Sequence, residues 1–279
     1  MKKRWLIITL VSLLAVACGR QQAEPPVETA SPIQVILVST DFGVGEPRVS
    51  FALFDGDDAA ENVASVELQV QDLDTAEAIW SGTAVNYSDY TIPYWIFRPT
   101  IAEAGFWAVA TQLTMDDGTV HTPGFVIEVL DETESLPIGN DAPASETKTV
   151  FSEPDLTKLS SGNETNPDLY QMTVAEALET GKPTIVGFIT PGLCQTRWCG
   201  PTLDSVEEVQ QTIGDEANFI HVEVFDDFQE LTLVPAMGEW GLLTEPWIFL
   251  VDENGRIAEK LGGPVSPREL QEALEPLLP

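Results

Sequence analysis

Basic side chains are scarce in this chain of 279 residues: 13 Lys and Arg stand against 45 Asp and Glu, for a formal net charge of −32. That balance excludes nucleic acid as a partner, because a polyphosphate needs a basic patch to hold it. It also excludes adhesion by charge to anionic lipid headgroups. The acid itself reads as a solvated surface that resists aggregation, and it names no partner. The start of the chain offers no comfortable membrane span. Its apolar stretch, Trp5 to Val16, is broken by Thr9 and Ser12 and falls short of the roughly 20 residues that a spanning helix needs. Cysteine is nearly absent, with three in the whole chain: Cys18, Cys194 and Cys199. What is present is globular material. Hydrophobic residues make up 43% and charged residues 21%, and the length suffices for two domains with separate cores.

The first residues read as an export signal. Met1-Lys2-Lys3-Arg4 is basic, the apolar stretch follows, and Ala15-Val16-Ala17 supplies small residues before Cys18. The segment LAVAC, Leu14 to Cys18, resembles a bacterial lipobox, with Ala15 where Leu is more usual. The resemblance implies that residues 1–17 are removed and that Cys18 is lipidated. The protein is then anchored to the cell membrane, facing outside the cytoplasm, at a surface its charge would otherwise avoid. With Cys18 lipidated, Cys194 and Cys199 remain as a pair in a compartment where disulfides persist. Residues 18–31 are polar and proline-containing, and read as a tether.

Residues 32–131 read as short strands. Ser65 to Val70 alternates polar and apolar, Val49 to Phe54 and Trp107 to Leu113 are strand-like, and Asp116-Asp117-Gly118 is a hairpin turn. This spacing predicts an antiparallel sandwich, and the run from Ala104 to Val129 resembles the closing strands of immunoglobulin-like modules in exported bacterial proteins. Its aromatics, Trp80, Tyr87, Tyr90, Tyr94, Trp95 and Trp107, are expected in the sandwich core rather than on a ligand surface. Residues 132–170 read as a linker rich in Pro, Ser, Asn, Thr and acid. From 171 to 279 helices and strands alternate. Thr173 to Glu176 is a capping box, Pro183 to Ile189 is a buried strand, and Cys199 opens a helix.

Three motifs in this last part resemble the thioredoxin family: KPTIVGF (Lys182 to Phe188), WCGP (Trp198 to Pro201) and EPWIFLVDENGRI (Glu245 to Ile257). The expected architecture is therefore multidomain, an all-β immunoglobulin-like sandwich followed by an α/β thioredoxin-like domain. The stretch TPGLCQTRWCGPTLD is similar to exported thioredoxin-like proteins with cysteines five residues apart. The resemblance implies thiol–disulfide exchange on exported proteins, with no bound cofactor and no metal. It also implies that Pro246 is a cis-proline facing Cys199, with the backbone of Glu245 holding substrate. Trp198 and Arg197 are expected to position substrate beside it.

The chemistry also follows from the residues. A cysteine at a helix start meets unpaired N–H groups and the helix dipole, which favour a thiolate. Gly200 and Pro201 complete that first turn, where a proline loses nothing. Cys199 is thus expected to attack and Cys194 to resolve, because Thr202 stands where a second cysteine would be. For this the loop must fold back, and Pro191-Gly192 supplies turn chemistry. Two features oppose a fast reductase: Gly187 occupies the position of a buried acid in many thioredoxins, and the charge of Glu245 works against a thiolate. Other readings are open. The bridge is a structural staple in a surface binding protein, or the thiols hold Cu(I) as in the Sco-type copper chaperones, which the motif faintly resembles. A peroxidase is disfavoured because Thr190 is misplaced relative to Cys194. His221 lies within an expected strand and reads as a packed residue.

Overall fold

The computed structural model describes residues 31–279. The signal, the lipobox and Cys18 lie outside the described residues. The architecture is mostly β, and its N-terminal part is two sheets face to face. One runs in the order Ile33–Leu37, Val49–Asp55, Tyr94–Phe97, Val85–Tyr87. The other runs Phe42–Gly43, Gly124–Leu130, Gly105–Met115, Val63–Asp72, Ala78–Thr83. All these neighbours pair antiparallel except Phe42–Gly43, which lies parallel to Gly124–Leu130.

Alternation explains the sandwich. In Val63–Asp72 the inward residues Val66, Leu68 and Val70 are buried while Glu67 and Gln69 face water. They meet Val109, Leu113, Ile127 and Val129 of their own sheet and Phe51, Leu53 and Phe97 of the other in one core. Each such side chain removed from water contributes about 1.5–3 kcal/mol. The strand Val49–Asp55 departs from alternation: six of its seven residues are buried. Val49, Phe51 and Leu53 face the sandwich core. Ala52 and Phe54 face a second cluster shared with Trp198 of the C-terminal part. A strand covered on both faces reads as a continuous apolar run.

The C-terminal part is a four-stranded sheet in the order Asn218–Val222, Thr184–Phe188, Trp247–Val251, Ile257–Gly262. The first two strands are parallel and the other pairings antiparallel. Four helices accompany it: α1 (Val174–Leu178), α2 (Cys199–Ile213), α3 (Pro235–Glu239) and α4 (Pro267–Leu274). This is the alternation of helices and strands that the resemblance to thioredoxins implies. The capping box Thr173/Glu176 starts α1, and Ser266, with Pro267 at the first helical position, starts α4. Glycine 214, at φ 59°, ends α2.

Residues 132–170 carry little regular structure but are packed rather than loose. Leu159, Leu169 and Tyr170 belong to the core shared by α2 and α4, and Ser145 and Thr149 are buried. The expectation of a spacer missed this because apolar residues are spread thinly among the polar ones, with no periodicity to mark them.

Sandwich and α/β part are joined by polar contacts as well as apolar ones. Arg48, just before its strand, forms a buried ion pair with Glu269 of α4 at 2.7 Å and donates to the carbonyls of Gly262 (2.6 Å) and Pro264 (2.7 Å). The hydroxyl of Tyr94 donates to Glu269 at 2.5 Å and accepts from the backbone N–H of Ser266 at 2.7 Å. Tyr87 donates to Glu272 and lies under the guanidinium of Arg268, 4.4 Å from ring centre. So three of the aromatics expected in the sandwich core, Tyr87, Tyr90 and Tyr94, instead cover its outer face against the α/β part.

Candidate functional site

The central strand Thr184–Phe188 is buried along its whole length and delivers the chain to a loop, Ile189 to Trp198, at one end of the sheet. The loop folds back. Gly192 donates its N–H to Ser161 Oγ at 3.0 Å, and a Cβ at this glycine would sit 1.8 Å from Ser161 O. Only glycine allows that approach. The fold brings the Cα atoms of Cys194 and Cys199 to 6.2 Å, and the two form a disulfide.

Cys199 is the first residue of α2, and Trp198 before it offers no side-chain cap. The N–H groups of Cys199 and Gly200, at the positive end of the helix dipole, therefore have no side-chain cap. Gly200 and Pro201 follow Cys199 in that first turn. Thr196 Oγ lies 3.2 Å from Cys194 Sγ and 4.0 Å from Cys199 Sγ. Arg197 is exposed. Trp198 is buried, stacked on Tyr90 of the sandwich with ring centres 6.4 Å apart. The Tyr90 hydroxyl donates to Trp198 O at 2.9 Å and lies 2.9 Å from Thr202 Oγ1. Thr202, at the position of an absent second cysteine, is fully buried and tied to the other part of the molecule. Nothing in the local sequence marks Tyr90, over a hundred positions away.

Glu245 touches the bridge and is joined to Pro246 by a cis peptide bond. Glu245 Oε2 lies 2.5 Å from Cys199 Sγ. A disulfide sulfur carries no proton, so a hydrogen bond across this contact is donated by the carboxyl. Its environment agrees: burial, then the charge of Glu223, push Glu245 up to about 7, against a smaller opposing effect from the Thr190 backbone N–H. Glu223 is itself buried, accepting from Ser161 N (2.8 Å), Ser161 Oγ (2.7 Å) and Val224 N (3.0 Å). The site thus lacks an acid at Gly187, whose strand position is closed by Ile189, but acquires one from the opposite wall. The sequence shows Glu245 beside the proline; its contact with Cys199 depends on two distant segments meeting.

His221 is a packed strand residue. Its Nε2 lies 2.8 Å from Ile189 O and its Nδ1 2.5 Å from Tyr170 OH, and burial holds its pKa below the usual histidine value. Among the described residues, one group of three metal-ligating side chains converges: Cys194, Cys199 and Glu245, with donor atoms within 4.8 Å of one another. The sulfurs become metal ligands only once the bridge is reduced. No helix of the described residues is long and apolar enough to cross a membrane.

No protein-family model matches the chain, and no curated relative does. Solved structures give low similarities. A thiol:disulfide interchange protein of the thioredoxin family from Chlorobium tepidum TLS is 19% identical, covering 52% of this chain and 100% of that one, with a TM-score of 0.34. CopC from Methylosinus trichosporium OB3b is 17% identical over 34% of this chain and 93% of its own, with a TM-score of 0.25. The PmoD soluble domain from Methylocystis sp. ATCC 49242 (Rockwell) is 16% identical over 35% of this chain and 90% of its own, at 0.26. At these scores the neighbours say nothing about function; what the site offers chemically is a disulfide at a helix start with a carboxyl against it.

Proposed function

We propose that this chain is a lipid-anchored protein outside the cytoplasm that exchanges thiols and disulfides with exported proteins through Cys194 and Cys199. The observation that carries the reading is the pairing of these two cysteines at the start of α2, with the Glu245 carboxyl against Cys199. A sulfur leaving a disulfide at a helix N-terminus is stabilised as an anion, which lowers the barrier to exchange. Leu193 and Leu243, exposed apolar neighbours in sequence of Cys194 and Glu245, give an unfolded polypeptide something to rest on. The LAVAC segment supports the anchor on Cys18. The sandwich is then a second domain that holds the first.

A redox titration of the chain against glutathione, read by thiol alkylation and mass, tests the reading. A couple between about −120 and −270 mV belongs to an exchange catalyst; one below about −300 mV belongs to a structural staple. The convergence of Cys194, Cys199 and Glu245 favours one further reading, Cu(I) held by the reduced pair. It requires one Cu(I) per reduced chain, lost in Cys194→Ser.

A further inference from the structure

The two sulfurs of the bridge are not equally open. Cys199 is 0% exposed, inside the core formed with Leu203, Val206 and Ile248. Cys194 is half-buried at the edge of that core. Glu245 touches the buried sulfur, at 2.5 Å from Cys199 Sγ. We propose that Cys194 is the sulfur that meets the substrate, and that Cys199 is the inner partner whose proton is carried by Glu245. This rests on the exchange reading and reverses the roles that the helix-start argument gives the two cysteines.

The opening step balances as follows. A thiolate of a substrate dithiol attacks Cys194 Sγ. A bond forms between substrate sulfur and Cys194, the Cys194–Cys199 bond breaks, and its electron pair passes to Cys199. The Glu245 carboxyl gives its proton to Cys199 Sγ, leaving a thiol and a carboxylate. The second substrate thiol loses its proton to solvent and attacks the first substrate sulfur, so that a substrate disulfide departs and Cys194 leaves as a thiolate. Two electrons have moved from the dithiol to the pair. Run in reverse, Glu245 takes the proton of Cys199 as that thiol resolves the mixed disulfide.

The groups facing Glu245 fit this task. Cys199 lies on α2, the Thr190 N–H belongs to the loop, and Glu223 follows the strand Asn218–Val222. Glu223 in turn faces His221 and Tyr170. Burial and the Glu223 charge keep the Glu245 proton in place up to about pH 7, the state that the opening step uses.

The test uses the full-length oxidised chain and a synthetic two-cysteine peptide, with acid quenching and mass mapping of the mixed disulfide. The adduct is expected on Cys194; an adduct mainly on Cys199 overturns the assignment. With the peptide disulfide, Cys199→Ser is expected to form its adduct about tenfold or more faster than Cys194→Ser. The opening rate per peptide thiolate is expected to fall about tenfold per pH unit above pH 7 in the parent protein, as the donor is lost. In the isosteric Glu245→Gln it is expected to be slow and flat. Matching profiles remove Glu245 from the step. If the pair never equilibrates with glutathione, the exchange reading fails and this assignment with it. If it equilibrates but the adduct maps to Cys199, exchange stands and only the assignment falls.

Discussion

At the scale of single residues, a half-buried carboxyl and a buried imidazole set opposite pH dependences on stability. Glu245 has a folded pKa raised to about 7 from 4.5. The folded state therefore binds this proton more tightly than the unfolded chain, and the resulting stability is present below pH 4.5 and lost as pH rises through 7. His221 is held below its usual 6.5, so its contribution is present above pH 6.5 and lost as pH falls below it. Urea unfolding of the oxidised chain from pH 4.5 to 8 is expected to show the first effect vanish in Glu245→Gln; an unchanged pH profile in that variant contradicts it. Tyr90→Phe removes a hydroxyl that serves Trp198 O and Thr202. Trp198 O keeps the Thr202 N–H as a donor at 3.0 Å, so the loss falls on the buried Thr202 hydroxyl and is expected to cost about 1 kcal/mol, read by the same unfolding curves. These residue roles were only half legible in the sequence. Glu245 was visible as a charge near the proline, and His221 as a strand residue. Tyr90 gave no sign, because its partners are distant in the chain.

At the scale of elements, the loop from Ile189 to Trp198 depends on one backbone approach. Gly192→Ala puts a methyl where Ser161 O already stands. The loop must back away, and the two cysteines with it. The variant is expected to unfold at lower denaturant and to show a larger fraction of free thiol at a fixed glutathione ratio; a disulfide fraction equal to that of the parent protein would sink this account. The elements themselves were largely legible. The caps of α1 and α4, the hairpin turn at Asp116 to Gly118 and the apolar strand before the cysteines are local signals, and they appear where local chemistry puts them. The pieces that escaped notice are those without local signals: two-residue strands such as Phe42–Gly43, and the irregular but buried stretch 132–170. The helix α3 begins only at Pro235, because a two-stranded ribbon, Phe225–Asp227 with Thr232–Leu233, takes the preceding residues.

At the scale of the whole molecule, the junction between sandwich and α/β part centres on Arg48 and Glu269, whose side chains are 3% and 6% exposed. Removing one partner strands the other charge in a dry setting. Arg48→Ala is expected to destabilise by about 3–5 kcal/mol, and the paired apolar replacement Arg48→Met with Glu269→Leu by less, since no charge is stranded although the Gly262 and Pro264 carbonyls and the Tyr94 hydroxyl lose partners. Denaturant titration of both variants checks this, and equal losses would show that the pair is not isolated from solvent. The sequence could not reveal this junction. Arg48 and Glu269 are 221 positions apart, and periodicity reports only which face of an element is apolar, not what covers it. The run of apolar residues in Val49–Asp55 was the one available hint that both faces of that strand are covered.

The bond between Tyr90 and Thr202 also bears on ancestry. The tyrosine hydroxyl keeps the Trp198 carbonyl as its acceptor whatever stands at 202, but only an oxygen at 202 gives it a second good partner; a cysteine there would offer sulfur, a weak one. Positions 90 and 202 are therefore expected to change together among chains built on this plan. A line with cysteine at 202 would keep the half of this seam that runs from Tyr90 to the Trp198 carbonyl and lose the half that runs to position 202.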